Sequence, residues 1–195
     1  MEYKTIQDIG SAAILAGGES RRMGFDKALL AARDGGSNLD ALAESLSARF
    51  SDIFIVRRRG LFELTPLPPS VRVVYDDMDE PGPMAGVVSA MANSISNYVF
   101  ICACDAQPVH PAYLDFIIGL TAATPRDAVL PRVGGYIQPF WSMYGVHMLP
   151  DARAAVKSNL QSPYRFIQSR DIYIIEEDAI SAAGVPASMF SNRNA

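Results

Sequence analysis

Four short apolar runs, each closed by small or charged residues, set the terms on which this chain can fold. Ala12-Ala13-Ile14-Leu15 runs into Ala16-Gly17, and Ile53-Phe54-Ile55-Val56 runs into arginines. Val71-Arg72-Val73-Val74-Tyr75 ends at Asp76-Asp77, and Tyr98-Val99-Phe100-Ile101-Cys102-Ala103 ends at Cys104-Asp105. Each run is too short for a buried helix, and its β-branched and aromatic content reads as a strand. Between the first two, Leu39, Leu42, Leu46 and Phe50 recur at helical spacing, with Ser37 or Asn38 placed to cap them. After the third, Gly82-Pro83-Met84-Ala85-Gly86 opens a second helix with Val87, Val88 and Met91 inward, and Pro83 suits its first turn.

The pattern continues to the end of the chain. Helices are expected over Pro111 to Leu120, Pro150 to Lys157 and Pro163 to Gln168. Strands are expected at Ala128 to Leu130 and Ile172 to Ile175, and Tyr136 to Val146 reads as one longer aromatic strand with Gln138 and Pro139 at its start. Strands alternating with helices predict an α/β fold, a mainly parallel sheet covered on both faces. With 195 residues and no long linker or repeat, residues 1–195 are expected to form one domain. In such sheets ligands bind at the carboxyl ends of the strands. The segment after Leu15, the pair Asp76/Asp77 and Asp105 all fall there.

Composition narrows the function classes. Seventeen basic against 21 acidic residues leave a net charge of −4, which argues against nucleic acid as the main partner. Arg57-Arg58-Arg59 is a local exception and reads as a solvated surface run. Cys102 and Cys104, two apart on a strand, point the same way and are badly placed to bridge, which fits a reduced, cytoplasmic setting. No apolar segment is long enough to span a bilayer, and Met1 to Ile9 lacks a signal-peptide core. His110 and His147 have no partner at metal-ligand spacing, so no zinc site is expected.

The segment Leu15-Ala16-Gly17-Gly18-Glu19-Ser20-Arg21-Arg22-Met23-Gly24-Phe25-Asp26-Lys27 carries the chemistry. Its glycines let backbone N–H groups approach an anion, and Arg21, Arg22 and Lys27 supply the opposing charge. It lacks the Gly-x-x-x-x-Gly-Lys-Ser/Thr spacing of a P-loop and the Gly-x-Gly-x-x-Gly of a dinucleotide site. A long cationic loop suits a triphosphate. Asp105, at the mouth of the most strand-like run, suits Mg²⁺, which takes one or two protein carboxylates and fills its sphere with phosphate and water.

The run Leu-Ala-Gly-Gly-Glu-Ser-Arg-Arg-Met-Gly-Phe-Asp-Lys closely resembles the signature of molybdenum cofactor guanylyltransferases, within the nucleotidyltransferase superfamily. Gly82-Pro83-Met84-Ala85-Gly86, Cys104-Asp105, Gln138-Pro139-Phe140 and Phe190-Ser191-Asn192-Arg193-Asn194 resemble further segments of that family, in the same order. Gly17 and Asp26-Lys27 favour guanylyl over cytidylyl transfer. The resemblance implies a three-layer α/β/α sandwich with a Rossmann-like sheet, of the nucleotide-diphospho-sugar transferase type. It implies Mg²⁺-dependent transfer of GMP from GTP to the phosphate of molybdopterin, with loss of pyrophosphate. Contact with proteins that deliver the cofactor or mature molybdoenzymes follows from the same resemblance, with no nucleic acid and no membrane.

The roles it implies are specific. Lys27 and Arg21 would stabilise the triphosphate and departing pyrophosphate, and the backbone of Leu15, Ala16, Gly17 and Gly18 would hold base and sugar. Asp105 would hold Mg²⁺, Asp76 or Asp77 would touch the nucleotide, and Gly82 would shape its site. Asn192 and Asn194 are open between a functional and a terminal role. Val56-Arg57-Arg58 stands where the family commonly has an asparagine near the base, and Ala106-Gln107-Pro108 where it reads Met-Pro-Phe. Arg132, Tyr136 and Gln138 are candidates for the acceptor side. The competing readings are a cytidylyltransferase, another phosphorylated acceptor, or a GTP-binding adaptor without catalysis.

Overall fold

In the computed structural model, residues 9–16, 38–58, 70–76, 78 and 82–191 are described. Gly17, Gly18, Arg21, Lys27, Arg59, Asp77, Asn192 and Asn194 lie outside them. The four apolar runs form parallel strands: β1 (Ser11–Leu15), β2 (Asp52–Arg58), β3 (Val71–Asp76) and β4 (Tyr98–Ala103). The remaining strands are β5 (Ala128–Val133), β6 (Tyr136–Ile137), β7 (Ser142–Gly145) and β8 (Ile172–Ile175). Their order is β3-β2-β1-β4-β7-β5-β6, with β8 paired in parallel to β5. Among the described strands only β7 and β6 run against their neighbours. The sheet is mainly parallel, as the alternation of strands and helices predicts.

Six helices cover it among the described residues: α1 (Asn38–Ser47), α2 (Pro83–Asn93), α3 (Pro111–Ala123), α4 (Leu149–Lys157), α5 (Pro163–Ile167) and α6 (Glu177–Ala182). Because β side chains alternate between faces, β1 sends Ala12 and Ile14 to one core and Ala13 to the other. The first core takes Leu39, Leu42 and Leu46 of α1, Tyr113, Leu114 and Ile117 of α3 and Ile180 of α6. The second takes Met84, Val87, Val88 and Met91 of α2, Ala152 and Val156 of α4, and Phe166 and Ile167 of α5. Leu42 and Leu46 are fully buried, each contributing about 2 kcal/mol of transfer free energy.

Three expectations are corrected. The strand expected over 136–146 is broken in two. Trp141 has φ 64°, a left-handed conformation that no strand can continue through, and Pro139 lacks an N–H for a ladder. The break is held by local bonds instead: Gln138 N donates to Pro131 O at 2.9 Å, Trp141 N to Ile101 O at 2.8 Å, and Tyr144 Oη to Pro139 O at 2.6 Å. The chain thereby crosses from β5 back to β4 and inserts β7 between them. Arg57 is no solvated residue, being 4 % exposed within β2, although Arg58 is more open. Asn38 begins α1, but its side-chain amide donates to Cys104 O at 2.6 Å and Ala106 O at 3.0 Å, across 66 and 68 residues of sequence.

Candidate nucleotidyl-transfer site

The carboxyl ends of β3, β2, β1 and β4 lie side by side along one edge of the sheet. At the centre, Ala16 N donates to Val56 O at 2.9 Å and Cys104 N donates to Leu15 O at 3.0 Å. The last residues of β1 are therefore clamped between β2 and the turn after β4. Asp105 sits in that turn, partly exposed, between two residues whose carbonyls Asn38 holds. The sequence offered Asn38 only as a helix cap, and nothing local marks its partners.

At the far end of the row, Asp76 closes β3. Its Oδ1 accepts from Met78 N at 3.1 Å and from Ser89 Oγ at 2.9 Å, tying the chain beyond β3 onto α2. Gly82, immediately before α2, has φ 137° and ψ 169°, a conformation open essentially to glycine alone. A Cβ there would come within 3.2 Å of Gln161 Cβ, and Met84 N donates to Gln161 O at 3.2 Å. Gly86 lets α2 approach β1, since a Cβ on it would lie 3.3 Å from Leu15 Cδ1. The amino end of α2, which lacks a side-chain cap, thus faces the same edge with its N–H groups and favourable dipole. Arg57 lies one residue past the Leu15–Val56 pair and opposite Tyr75 of β3, a buried arginine near the end of β2.

The structure therefore brings Leu15, Ala16, Asp76, Gly82 and Asp105 to one edge. Gln138, Tyr136 and Arg132 reach the same edge from the β5–β6 side. The cysteines form no disulfide, and Cys102 is buried in β4, where burial first and the neighbouring Cys104 second push its thiol up. His110 accepts from Ala112 N at the start of α3, and His147 Nε2 lies 2.8 Å from Asp127 Oδ1 at the opposite edge. Among the described residues no three or more His, Cys, Asp or Glu side chains cluster as a metal cage. Among the described residues the edge offers the partly exposed carboxylates of Asp76 and Asp105, and the hard oxygens of Asp105 suit a cation that brings phosphate and water as its other ligands.

Residues 12–172 match the MobA-like NTP transferase domain. The chain belongs to that nucleotidyltransferase family. It is 31% identical over 186 residues to the molybdenum cofactor guanylyltransferase of Syntrophotalea carbinolica, covering 95% of this chain and 86% of the relative. Its fold is similar to the molybdopterin-guanine dinucleotide biosynthesis protein A of Archaeoglobus fulgidus, with a TM-score of 0.72 at 17% identity over 88% of this chain and 86% of that one. A likeness of fold also extends to Rv0371c of Mycobacterium tuberculosis, solved in complex with manganese, at a TM-score of 0.59 and 17% identity, covering 88% and 89% of the two chains. No helix among the described residues is long and apolar enough to cross a membrane.

Proposed function

We propose that the chain, acting as one catalytic domain over residues 1–195, transfers GMP from GTP to the terminal phosphate of molybdopterin and releases pyrophosphate. The observation that carries this is the alignment of the β1 end, Asp76, Gly82 and Asp105 along one edge, in a chain that shares most of its length with a relative named for guanylyl transfer. The attacking group is the acceptor phosphate, so no protein nucleophile is needed, and catalysis consists of in-line positioning and charge neutralisation.

The Leu15, Ala16, Gly17 and Gly18 backbone holds the guanine and ribose, and Asp76 with Gly82 shapes the nucleotide's flank. Lys27 and Arg21 neutralise the triphosphate and the charge that accumulates on the departing pyrophosphate. Asp105 holds Mg²⁺, which when bound supplies charge neutralisation and Lewis acidity. Asn38 keeps the Asp105 turn in place from α1. The proposed setting is cytoplasmic, with transient contact to proteins that bring the cofactor or receive its dinucleotide.

Guanylation assays on wild type, Lys27→Ala and Asp105→Ala test the assignment. Each variant is expected to lose about 100-fold or more in kcat, the loss typical of removing one preorganised charge-stabilising group. Wild-type rates in both variants overturn the roles. A preference for CTP over GTP in the same assay overturns the reading of Gly17, and absence of turnover with bound GTP would leave an adaptor.

A further inference from the structure

From its shape and placement we infer that the β5–β6 hairpin is the platform on which the ring system of the acceptor stacks, with Tyr136 as the stacking surface. The inference rests on the acceptor proposed above, a fused-ring pterin with a phosphate at its far end. Tyr136 is 77% exposed, the most open of the aromatic side chains among the described residues. It is not carried on a slack loop. Gly134 and Gly135 have φ 58° and 81°, the pair of positive values that a two-residue primed turn demands, so Tyr136 follows directly opposite Val133. The turn is anchored from outside, because Gly134 N donates to Glu177 Oε2 at 2.9 Å. Its stem is anchored too, by Arg132 donating to Glu176 Oε1 at 2.7 Å. Both glutamates follow β8, the strand that pairs β5.

Position supplies the ligand. β5 runs parallel to β4 with β7 between them, so the hairpin prolongs β5 beyond the same edge that carries Asp105. Tyr136 shares its sheet face with Val133, which packs on the core that also takes Cys104 and Ala106, the residues either side of Asp105. Two strand spacings, about 10 Å, separate β4 from β5. The nucleotide half of the edge lies on the other side of Asp105, at β1 to β3. A molecule with its phosphate at Asp105 and its rings on Tyr136 must therefore be extended, flat at one end and anionic at the other. A phosphorylated pterin has that form. Aromatic stacking acts through the face of a ring, which the exposed Tyr136 supplies.

Neopterin monophosphate, whose ring fluoresces, serves as the probe against wild type, Tyr136→Ala and Tyr136→Trp, with GTP affinity measured in parallel. Tyr136→Ala is expected to bind the pterin about ten-fold more weakly, Tyr136→Trp to restore it, and GTP affinity to stay within about two-fold in all three. In turnover with molybdopterin, Tyr136→Ala is expected to raise the acceptor KM and leave kcat near wild type. Equal pterin affinity in Tyr136→Ala and wild type overturns the platform and leaves guanylyl transfer standing. GTP binding with no pterin binding in wild type overturns it as well. Wild type without any GTP-dependent turnover of molybdopterin removes the reading beneath it, and the platform falls with that reading.

Discussion

At the scale of single residues, the edge depends on groups that fix backbone more than on groups that perform chemistry. Asn38 and Ser89 each hold a partner that sequence spacing does not announce, the turn after β4 and the end of β3. Asp76 was open between a turn residue and a nucleotide contact, and its Oδ1 is engaged by Met78 N and Ser89 Oγ, which orients the carboxylate. Gly82 is the sharpest case. Its φ of 137° excludes an L side chain, and the nearest obstacle, Gln161 Cβ, is the stiff root of a side chain and not its movable tip. Gly82→Ala is expected to cost about 1–3 kcal/mol, and each kcal/mol lowers the melting temperature by roughly 2–4 °C in a chain of this size. Because the strain sits at the amino end of α2, the thermal shift that saturating GTP produces should also shrink. A melting temperature equal to wild type, with and without GTP, would show that the turn has a second comfortable conformation.

Elements were legible wherever one period governed them. β1 to β4 and the helices α1 to α5 follow from strand-length apolar runs and helical spacing. The Gln138–Trp141 crossover did not, since a proline and a left-handed tryptophan interrupt a run whose composition still reads as strand. α6 was missed although Glu177 and Asp178 in its first turn and Gly184 (φ 78°) past its end are ordinary start and stop signals, because six residues carry too little apolar periodicity. Of the candidate site, Asp105 could be proposed from its motif and the glycine-rich segment past Ala16 lies outside the described residues, whereas the burial of Arg57 required the neighbouring strands to be known. The amino ends of β1, β2 and β3 were also unreadable as a unit. There Asp52 Oδ2 accepts from Ser11 Oγ at 2.8 Å, and Arg72 Nε donates to Asp52 Oδ1 at 2.8 Å. Arg72 also donates to Asn93 O at 2.6 Å, while its guanidinium lies 4.3 Å from the Phe54 ring. This network joins three strands and the end of α2 at the edge away from Asp105. Asp52→Ala leaves Ser11 and Arg72 without their shared acceptor and is expected to cost about 2 kcal/mol in urea denaturation. Activity per folded molecule should stay at the wild-type value, and a drop in kcat would mean that the two edges communicate.

Across the whole molecule the two edges differ, with the proposed chemistry along the carboxyl ends of the parallel strands and fastening along the amino ends. On the β5 side the fastening is Asp127, just before β5. Its backbone accepts from Gly145 N at the end of β7 and donates to Asp171 O before β8, while its Oδ2 accepts from Asp171 N at 3.0 Å and Oδ1 meets His147 Nε2 at 2.8 Å. Partial burial pulls this carboxyl up, but the His147 and Asp171 hydrogen bonds, aided by the charges of His147 and Arg170, outweigh it and hold it below the ordinary carboxylate value. A carboxyl lowered by folding stabilises the protein above its unfolded pKa of about 3.9, and that stability is lost as pH falls through the lowered folded value. Asp127→Asn should therefore be less stable than wild type at pH 7. The gap should narrow as pH falls below about 4, where the unfolded chain takes up the proton first and the folded carboxyl follows at its lowered value, while guanylation per folded molecule at pH 7 is unchanged because Asp105 lies at the other edge. Urea denaturation of both proteins at pH 7 and pH 3 reads this directly: a gap as wide at pH 3 as at pH 7 would mean that the junction holds by the shape of its hydrogen bonds and not by the charge on Asp127.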